Sequence, residues 1–380
     1  MTNKPFISFY DSIGFAPTRQ DVSIADSHHQ RRSVLYRSLG IPDIAIQGSR
    51  VLEFGPGSGE NCETVLRQKP SHYTLVDGSA AVLGRLRERL DQFNDVPLSY
   101  VLSDIDQYTD DYLYDLVICE GVLPMQRNPI EMAEHVLSFV RPGGVVVMTC
   151  FDACSTLSEW CRRFIAQHLF FNMTYSEKLV EELTDFFRPD LGFLPGVSRR
   201  PEDWVVDTLI NPWVGEFFSL HDAMEVSRGK AAFLGSSPRF FQDFRWYKDP
   251  SNLDSDRTLE LILTWLSTHS YLFLDTRLTP RKMLANQDHS TLPAMATRLT
   301  KRIQRHSSRA EIYDVAEFGG DIAMIAEHVR EISVETYSSL QGLVRWAEKG
   351  RIEDLAPFRS LWGRGQQFIS FAVTESEIGR

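Results

Sequence analysis

Apolar positions follow two rhythms along the first part of the chain. Five short runs are apolar almost throughout, as in buried strands, and between them apolar residues recur every three or four positions, which predicts helices. The strand-like runs are RVLEFG, HYTLVDG, LSYVLSD, YDLVICEG and VVVMTCF, which begin at Arg50, His72, Leu98, Tyr114 and Val145. Strands that alternate with helices need crossover connections, so the pattern favours a parallel sheet covered on both faces.

The alternation stops after the fifth run. Residues 152–218 contain two helical patterns and then a stretch rich in Pro, Gly and Trp, which is typical of loops. A helical pattern and two strand patterns, KAAFLGSSP and DFRWYKD, follow and would complete a seven-stranded sheet. From Ser251 onward the pattern is helical to the end, and its most periodic part stops at Gly350, a usual C-terminal signal.

These patterns predict a doubly wound α/β fold with helical additions. We expect an N-terminal cap segment over 1–46 and a sheet domain made of 47–151 and 219–250. A mostly helical insertion over 152–218 interrupts that domain, and a C-terminal helical domain covers 251–380. The length of 380 residues suits two or three domains at ~150 residues each.

Composition excludes some classes of protein. The net charge of -11 disfavours nucleic acid as a partner, because phosphate binding needs a basic face. The basic stretch 298–309 is a local exception, with a solvated helix face as its ordinary interpretation. The five cysteines form no CxxC pair and have no histidine at zinc-ligand spacing, so we expect no metal site and a cytoplasmic protein with reduced thiols. No apolar run reaches the ~18 residues of a membrane helix, and the N-terminus lacks the features of a secretory signal.

The stretch VLEFGPGSGENC, residues 51–62, carries the first chemical signal. Gly55, Gly57 and Gly59 alternate after a strand, which permits close backbone approach and a tight turn into a helix whose N-terminus offers free N–H groups. Dinucleotide sites use G-x-G-x-x-G, but here the third glycine comes one residue earlier. Glu53 in the strand end would disfavour a pyrophosphate and favour a cationic ligand.

This stretch resembles the first motif of the class I S-adenosylmethionine (SAM)-dependent methyltransferases. The segments YDLVICEGVL and VRPGGVVVM resemble that family's fourth strand and the approach to its fifth. The resemblance covers roughly residues 47–150, with 219–250 as an extension. It implies that the glycines pass beneath SAM and that Glu53 lies near the amino and sulfonium end of that cofactor.

The resemblance also assigns roles to residues at the ends of the later strands. Asp77 would hold the ribose hydroxyls, Asp104 would meet the adenine amino group, and Ile105 would pack on the ring. Glu120 would line the methionine end of the cofactor or the substrate. The complete expected set of cofactor-binding residues is Glu53, Gly55, Gly57, Gly59, Asp77, Gly78, Ser79, Asp104, Ile105 and Glu120.

Each assignment has a structural alternative. The glycines could serve only a turn, and Glu53 could cap or pair with a local base. Asp77 could cap the next helix, and Asp104 could cap the next turn. Glu120 could face solvent.

Three segments outside the shared sheet are candidates for the acceptor site. Tyr10 in FYDSIGF could close over SAM, and Arg239 in GSSPRFFQDFRWYKD suits a carboxylate or phosphate on a small molecule. The insertion offers Trp160, Arg163, Trp204, Asp207, Asn211 and Trp213. We expect Glu120, Tyr10 and Arg239 as catalytic residues, and a pocket closed by the N-terminal segment and the insertion.

The favoured function is SAM-dependent methylation of nitrogen or oxygen on a small polar metabolite that resembles an amino acid, an amine or a sugar. A hydroxyl acceptor needs a base, and His28 and His29, although expected to be exposed, are eligible. The alternatives are methylation of protein or RNA, and a SAM-binding protein that acts in assembly without turnover. CEGVLPMQRNP replaces the Asn/Asp-Pro-Pro-aromatic signature, which disfavours adenine-N6 and glutamine-N5 acceptors. The glycine spacing disfavours an NAD-dependent oxidoreductase, and a homodimer is left open.

Overall fold

The computed structural model describes eleven parts of the chain and separates into two compact units. The described residues are 5–14, 17–20, 22, 25–124, 126–170, 173–194, 199–213, 215–248, 255–280, 290–309 and 312–374. The first unit consists of Met1–Phe151, Gly215–Leu263 and Gln367–Arg380. The second unit consists of Asp152–Val214 and Thr264–Gln366.

The first unit is built on a seven-stranded sheet in the order β3-β2-β1-β4-β5-β7-β6. The strands are β1 (Arg50–Phe54), β2 (His72–Asp77), β3 (Leu98–Leu102), β4 (Tyr114–Cys119), β5 (Val140–Cys150), β6 (Ala231–Ser237) and β7 (Gln367–Val373). The first five pair in parallel, and β7 runs antiparallel to both of its neighbours. The fold class expected from the sequence is confirmed.

Fifteen α-helices lie within the described residues. They are α1 (Pro5–Ile13), α2 (Ala25–Ser38), α3 (Asp43–Ile46), α4 (Glu60–Arg67), α5 (Ala80–Leu90), α6 (Pro129–Leu137), α7 (Ala153–Leu169), α8 (Glu177–Leu191), α9 (Pro201–Trp204), α10 (Leu220–Ser227), α11 (Ser255–His269), α12 (Tyr271–Leu274), α13 (Leu292–Ser307), α14 (Val315–Val329) and α15 (Val334–Lys349). A π-helical turn, Val205–Ile210, continues α9 inside the segment expected to be looped. The single periodic stretch that was expected to stop at Gly350 is two helices, α14 and α15, and Gly350 ends the second with φ +68°.

One face of the sheet buries the apolar stripes of the helices that precede and follow β1. Leu39, directly after α2, Val65 of α4 and Leu86 of α5 are fully buried against Val51 and its neighbours. Burying such a side chain stabilises the fold by about 1.5–3 kcal/mol. The helix α5 begins at its N-cap Ser79, whose hydroxyl accepts a hydrogen bond from the backbone N–H of Val82.

The second unit has a buried charge network of its own. Arg162 of α7 is fully buried; its Nε donates to Asp190 at 3.0 Å and its Nη1 to the carbonyl of Leu361 at 3.0 Å. Asp190 also accepts a hydrogen bond from Arg359. Because removing one member would leave a buried charge without its partner, the network fixes α7, α8 and the 358–361 turn together.

Several residues that were candidates for the acceptor site are part of this second core. Trp160 and Trp204 are buried, and Arg163 donates to the carbonyls of Thr208 and Asn211 at 3.0 and 2.8 Å. These contacts hold the π-helical turn against α7. These side chains are therefore part of the core of the second unit.

The basic stretch 298–309 lies mainly in α13, which packs by its apolar side. Leu299 and Ile303 are fully buried, while Arg302 pairs with Asp321 at 2.9 Å and also with Glu317. The charged side of the helix is thus partly neutralised by α14. This arrangement agrees with the ordinary interpretation of a solvated helix face.

The predictions for the last strand were wrong. DFRWYKD forms no strand over its described residues 243–248, and Phe244 and Trp246 there are exposed. The seventh strand is instead β7, in the part of the chain that was expected to be helical to the end. A strand needs a hydrogen-bonding partner, and residues 367–373 find one on each side, in β5 and in β6.

All five cysteines are buried. In the part of the chain that the structure describes, no helix combines the length and the apolarity that crossing a lipid bilayer requires.

Candidate functional site

The loop from β1 into α4 needs glycine at each of the three expected positions. The backbone is left-handed there, with φ of +66° at Gly55, +56° at Gly57 and +85° at Gly59. An added Cβ would lie 2.4 Å from Val122, 2.9 Å from Thr18 and 2.6 Å from Leu86, respectively. The turn and the protein's own packing therefore require glycine, and contact between this backbone and a ligand remains a prediction.

The parallel register brings the expected acids to one edge of the sheet. Phe54 of β1 pairs with Val76 of β2 and with Cys119 of β4, so that the residues that follow these strands lie side by side. Asp77 pairs with Leu102 of β3 in the same way. This carboxyl edge is where open α/β sheets bind their ligands.

Asp77 is fixed by the turn that follows β2. Its Oδ1 accepts a hydrogen bond from the backbone N–H of Ser79 at 2.8 Å. Because Ser79 is the N-cap of α5, the alternative that Asp77 caps this helix is wrong. Burial raises the pKa of Asp77 to about 6; the Ser79 N–H opposes this shift and the carboxylate of Asp11 adds to it.

Gly78 marks a close approach between three parts of the chain. A Cβ at this position would lie 2.6 Å from Ile7 and 3.0 Å from the carboxylate of Asp104. Asp104 thus lies beside the Asp77 turn, as the resemblance implies. It precedes a short 3-10 helix but makes no side-chain capping bond to it, and Ile105 behind it is buried.

The N-terminal helix α1 contacts this edge. Ser79 Oγ donates to Asp11 at 2.7 Å, and Ile7 contacts Gly78. Residues three and four apart share one face of a helix, so Tyr10 lies on the face that Ile7 and Asp11 define. The N-terminal segment is therefore in place to cover the site, and contact of Tyr10 with a cofactor stays a prediction.

Glu53 is buried beneath this edge. Its Oε2 accepts hydrogen bonds from the phenol of Tyr73 and, at 3.6 Å, from the thiol of Cys62. Burial raises the pKa of Glu53 to about 8, and the carboxylate of Glu120 adds to this; Arg32 and the Cys62 thiol oppose it. Glu53 is thus surrounded by neutral donors and by a second acid.

Glu120 follows β4 and is held by an arginine of α2. Nη2 of Arg32 donates to both carboxylate oxygens at 2.7 Å, and the phenol of Tyr36 lies 3.4 Å from one of them. The next residue, Gly121, donates its N–H to Thr149 of β5 at 2.6 Å. Only 9% of the Glu120 side chain is exposed, so the alternative that it faces solvent is wrong.

The sequence interpretation missed Arg32 and Tyr36, although a signal was present. His28, Arg32 and Tyr36 follow one another at four-residue spacing, which places them on one face of α2, and all three are buried. His28 was expected to be exposed; instead its Nε2 lies 3.2 Å from the carbonyl of Glu60, and burial lowers its pKa to about 4. A polar stripe at helical spacing was the available clue.

Arg239 contacts α2 near the C-terminal end of that helix. It follows β6, is exposed, and donates to the carbonyl of Arg37 at 3.1 Å. Arg32, which holds Glu120, precedes Arg37 by five residues, or about 7.5 Å of helix. The expected catalytic residues Glu120 and Arg239 therefore lie against different turns of α2, and the role of Arg239 toward an acceptor stays a prediction.

Comparisons with known proteins give a consistent picture. A family model described as a methyltransferase domain matches residues 27–187. The compactin nonaketide synthase, polyketide synthase component, of Penicillium citrinum is 33% identical over 108 residues, which are 27% of this chain and 4% of that protein. The malonyl-acyl-carrier-protein O-methyltransferase 2 of Ilyobacter polytropus is 26% identical over 102 residues, 27% of this chain and 39% of that protein. The chain thus spans well under half of the length of either relative.

Solved structures with similar folds include two methyltransferases with bound ligands. The N-methyltransferase NodS of Bradyrhizobium japonicum, in complex with S-adenosyl-L-homocysteine (SAH), is 20% identical, with a TM-score of 0.32 over 40% of this chain and 76% of that one. Magnesium protoporphyrin IX methyltransferase of Synechocystis, with bound SAM, is 20% identical, with a TM-score of 0.31 over 38% of this chain and 74% of that one.

Proposed function

We infer, from the premise that residues 27–187 place this chain in the class I SAM-dependent methyltransferase family, that it transfers a methyl group to nitrogen or oxygen of a small polar metabolite. The family, the methyltransferase class and the cofactor SAM expected from the sequence are confirmed by that match. The acceptor is our proposal. A cytoplasmic location, which would suit five buried cysteines, and a homodimer are also proposals.

The residues at the carboxyl edge fit the cofactor. The turn of Gly55, Gly57 and Gly59 would carry the methionine part of SAM, with Glu53 below it. The Asp77 carboxylate would accept hydrogen bonds from the ribose hydroxyls, since charged acceptors make the stronger bonds. Asp104 and Ile105 would contact the adenine. Three acids and a glycine-rich backbone suit a cationic nucleoside better than a dinucleotide. Among the described residues, no base pairs with Asp77.

When bound, SAM supplies an electrophilic methyl group on a sulfonium whose departure leaves a neutral thioether. The chain's own contribution is therefore orientation and exclusion of water more than acid catalysis. Glu120 would accept a hydrogen bond from an acceptor amine or hydroxyl, and Arg32 fixes its orientation. Tyr10 would close the adenosine side from α1.

The single observation that carries a small polar acceptor is the buried Arg32–Glu120 pair at the end of β4. A carboxylate that is nine-tenths buried recognises a compact polar group that enters a pocket, because water does not compete with the bond there. A polynucleotide would instead need an extended basic surface. The acidic composition of the chain supports the same choice.

The test is to identify what becomes methylated. The protein is incubated with SAM that carries a deuterated methyl group, together with fractions of small metabolites, total protein and RNA, and each fraction is searched by mass spectrometry. We expect the label in the small-metabolite fraction. The variant Asp77→Ala should lose this labelling, whereas Asp111→Ala, at an exposed site outside the edge, should keep it.

The other outcomes favour the alternatives. Label in the protein or RNA fraction would favour a macromolecular acceptor. SAM binding without a labelled product in any fraction would favour a binding protein without turnover.

A malonyl-loaded carrier protein is a second candidate acceptor, because one relative is named as acting on a malonyl-acyl-carrier protein. A malonyl thioester on a carrier protein presents a free carboxylate, whose oxygen could be methylated. We therefore include malonyl-loaded carrier protein as a separate substrate. Label in that reaction alone would replace the free metabolite by a tethered one.

A further inference from the structure

The buried groups around Glu53 contain more acids than bases. Glu53 and Glu120 are both at least nine-tenths buried, and Arg32 is the one cation that the structure places in hydrogen-bond contact with either of them. Arg32 directs its Nη2 to Glu120 and to the phenol of Tyr36, and its buried Nε has no partner among the described residues. One cation therefore serves one of two acids.

Glu53 is left with neutral partners. The hydrogen bonds from Tyr73 and Cys62 both end on Oε2, which leaves Oε1 for another group. A buried carboxylate without a cation is costly, and such a site gains stability by binding a proton or a cation. With both acids ionised, the cluster would contain two negative charges and one positive charge.

We propose that this cluster, defined as Glu53, Glu120, Arg32, Tyr36, Tyr73 and Cys62, holds a proton on Glu53 when the site is empty and exchanges it for the positive charge of the ligand. Each binding event brings one cation in and sends one proton from the Glu53 carboxyl to the buffer, so the charge of the cluster is conserved. This inference rests on the proposed function, because it takes SAM as the cationic ligand. It makes Glu53 the group by which the site selects a cation over a neutral or anionic nucleotide.

The groups that face Glu53 from each neighbouring element define what else titrates. They are Arg32 and Tyr36 from α2, Cys62 from α4, Tyr73 from β2, and Cys119 and Glu120 from the end of β4. His28 of α2 and Glu60 of α4 lie beside this set: His28 next to Arg32 and Glu60 next to Cys62. Burial raises the pKa of the phenol of Tyr36 and of the thiols of Cys62 and Cys119, so these stay neutral. The pKa of His28 is about 4, so it also stays neutral near pH 7. Glu53, whose pKa is raised to about 8, therefore changes charge close to neutral pH.

The affinity for SAM depends on pH through the Glu53 carboxyl. The empty site holds a proton up to the pKa of Glu53 at about 8, and a bound cation lowers this pKa. Binding then releases a proton, and the affinity for SAM rises by up to about tenfold per pH unit below pH 8. The α-amino group of the ligand titrates near 7.7–8.0, so the measurement belongs at pH 7.0, where that group is still mostly protonated.

The experiment is isothermal titration calorimetry of the full-length protein with SAM at pH 7.0, in several buffers that differ in ionisation enthalpy. The slope of observed enthalpy against buffer enthalpy counts the protons released. At pH 7.0 about 0.9 proton leaves Glu53 and the ligand amine takes up about 0.1–0.2, so we expect a net release of about 0.7–0.8 proton per SAM in the wild type. Glu53→Gln, which mimics the protonated acid, should show no net release. Glu63→Gln, a matched control on α4 whose glutamate pairs with Arg89 away from the cluster, should keep the wild-type value.

A second variant covers the case in which Glu53→Gln does not fold. Tyr73→Phe removes a hydrogen bond that favours the ionised Glu53, so it should raise the pKa of this carboxyl. At pH 8.0 the variant should release more protons per SAM than the wild type does. A purely structural role of Tyr73 would leave this difference at zero.

SAH separates the two positive charges of the ligand, because it keeps the ammonium and lacks the sulfonium. Equal proton release with SAM and SAH would assign the exchange to the ammonium; release with SAM alone would assign it to the sulfonium. Either result supports the proposal. SAM binding without proton release, or with equal release in Glu53→Gln, would overturn it and leave the proposed function intact. Failure of the wild type to bind either ligand would overturn the proposed function itself.

Discussion

Two carboxyl groups at neighbouring strand ends reach different charge states because their surroundings differ. Burial raises the pKa of both, to about 6 at Asp77 and to about 8 at Glu53. Asp77 accepts a backbone N–H from Ser79, which favours its ionised form, whereas Glu53 lies near a second acid. At pH 7 the first is therefore mostly a carboxylate and the second mostly an acid, and such divergence is how one site obtains two chemical roles.

The first prediction compares the two acids of the adenosine side. Asp77→Ala should weaken SAM binding more than Asp104→Ala. The Asp77 carboxylate would accept hydrogen bonds from two ribose hydroxyls, whereas Asp104 would accept one from the adenine amino group, so the first variant loses more binding energy. The expected loss at Asp77 is about 1.5–3 kcal/mol per lost bond to a charged group. Calorimetry at pH 7.5 measures both. Equal or reversed losses would place the ribose elsewhere on the edge.

The second prediction concerns the stability of the ligand-free protein. The folded state keeps a proton on Glu53 up to about pH 8, whereas the unfolded chain loses it near the ordinary value of 4.5. Between these two pKa values the native state binds more protons than the unfolded state. Glu53 therefore lowers the free energy of unfolding by up to about 1.4 kcal/mol for each unit by which the pH rises. Urea unfolding of the wild type and Glu53→Gln between pH 5 and 8 should give a difference that grows with pH in favour of the variant. Parallel curves would contradict the pKa shift of Glu53.

Among the elements, α1 contacts the turn that follows β2. Its helix presents Ile7 and Asp11 to the Gly78–Ser79 turn. A helix held by contacts of this kind can open locally while the sheet stays folded.

The third prediction tests this attachment. Asp11→Ala removes the acceptor of the Ser79 hydroxyl, a loss of about 1 kcal/mol that should make amide hydrogen exchange in α1 about fivefold faster. Ser12→Ala is the matched control, since Ser12 bonds only to the carbonyl of Phe9 within the same helix at 2.7 Å. Hydrogen exchange with mass spectrometry compares the two variants. Similar exchange in both would show that the Asp11–Ser79 bond does not hold the helix.

The sequence was informative for elements whose neighbours are close in the chain. β1, β2 and β4 are buried over almost their whole length, so they form apolar runs that can be recognised without knowledge of their partners. The stripe of His28, Arg32 and Tyr36 was not recognised, because an arginine in a helix reads as exposed until its partner is known, and Glu120 lies 88 residues away. Asp77 and Asp104 follow strands that the apolar runs predict, so their position at the sheet edge could be inferred from the sequence. Their pKa values depend on burial, which no motif states.

At the scale of the whole molecule, the chain returns to its sheet after the second unit. β7 inserts between β5 and β6 and pairs with both, so residues 367–373 complete a sheet whose other strands end at Ser237. A strand of this kind depends on partners at least 130 residues away in the sequence, as the bond from Ser370 to Gly235 illustrates with a separation of 135. Local patterns cannot supply such a pairing, which explains why this part was expected to be helical.

The last prediction tests the internal position of β7 with two matched substitutions on adjacent strands. Ile369 of β7 is fully buried, whereas Leu234 of β6, the edge strand, is 40% exposed. Ile369→Glu should lower the free energy of unfolding by about 3–5 kcal/mol, because it buries a carboxylate without a partner. Leu234→Glu should cost less than about 1 kcal/mol, since the new carboxylate can reach water. Urea unfolding of both variants at pH 7.5 gives the comparison, and equal midpoints would mean that the C-terminal strand lies outside the sheet.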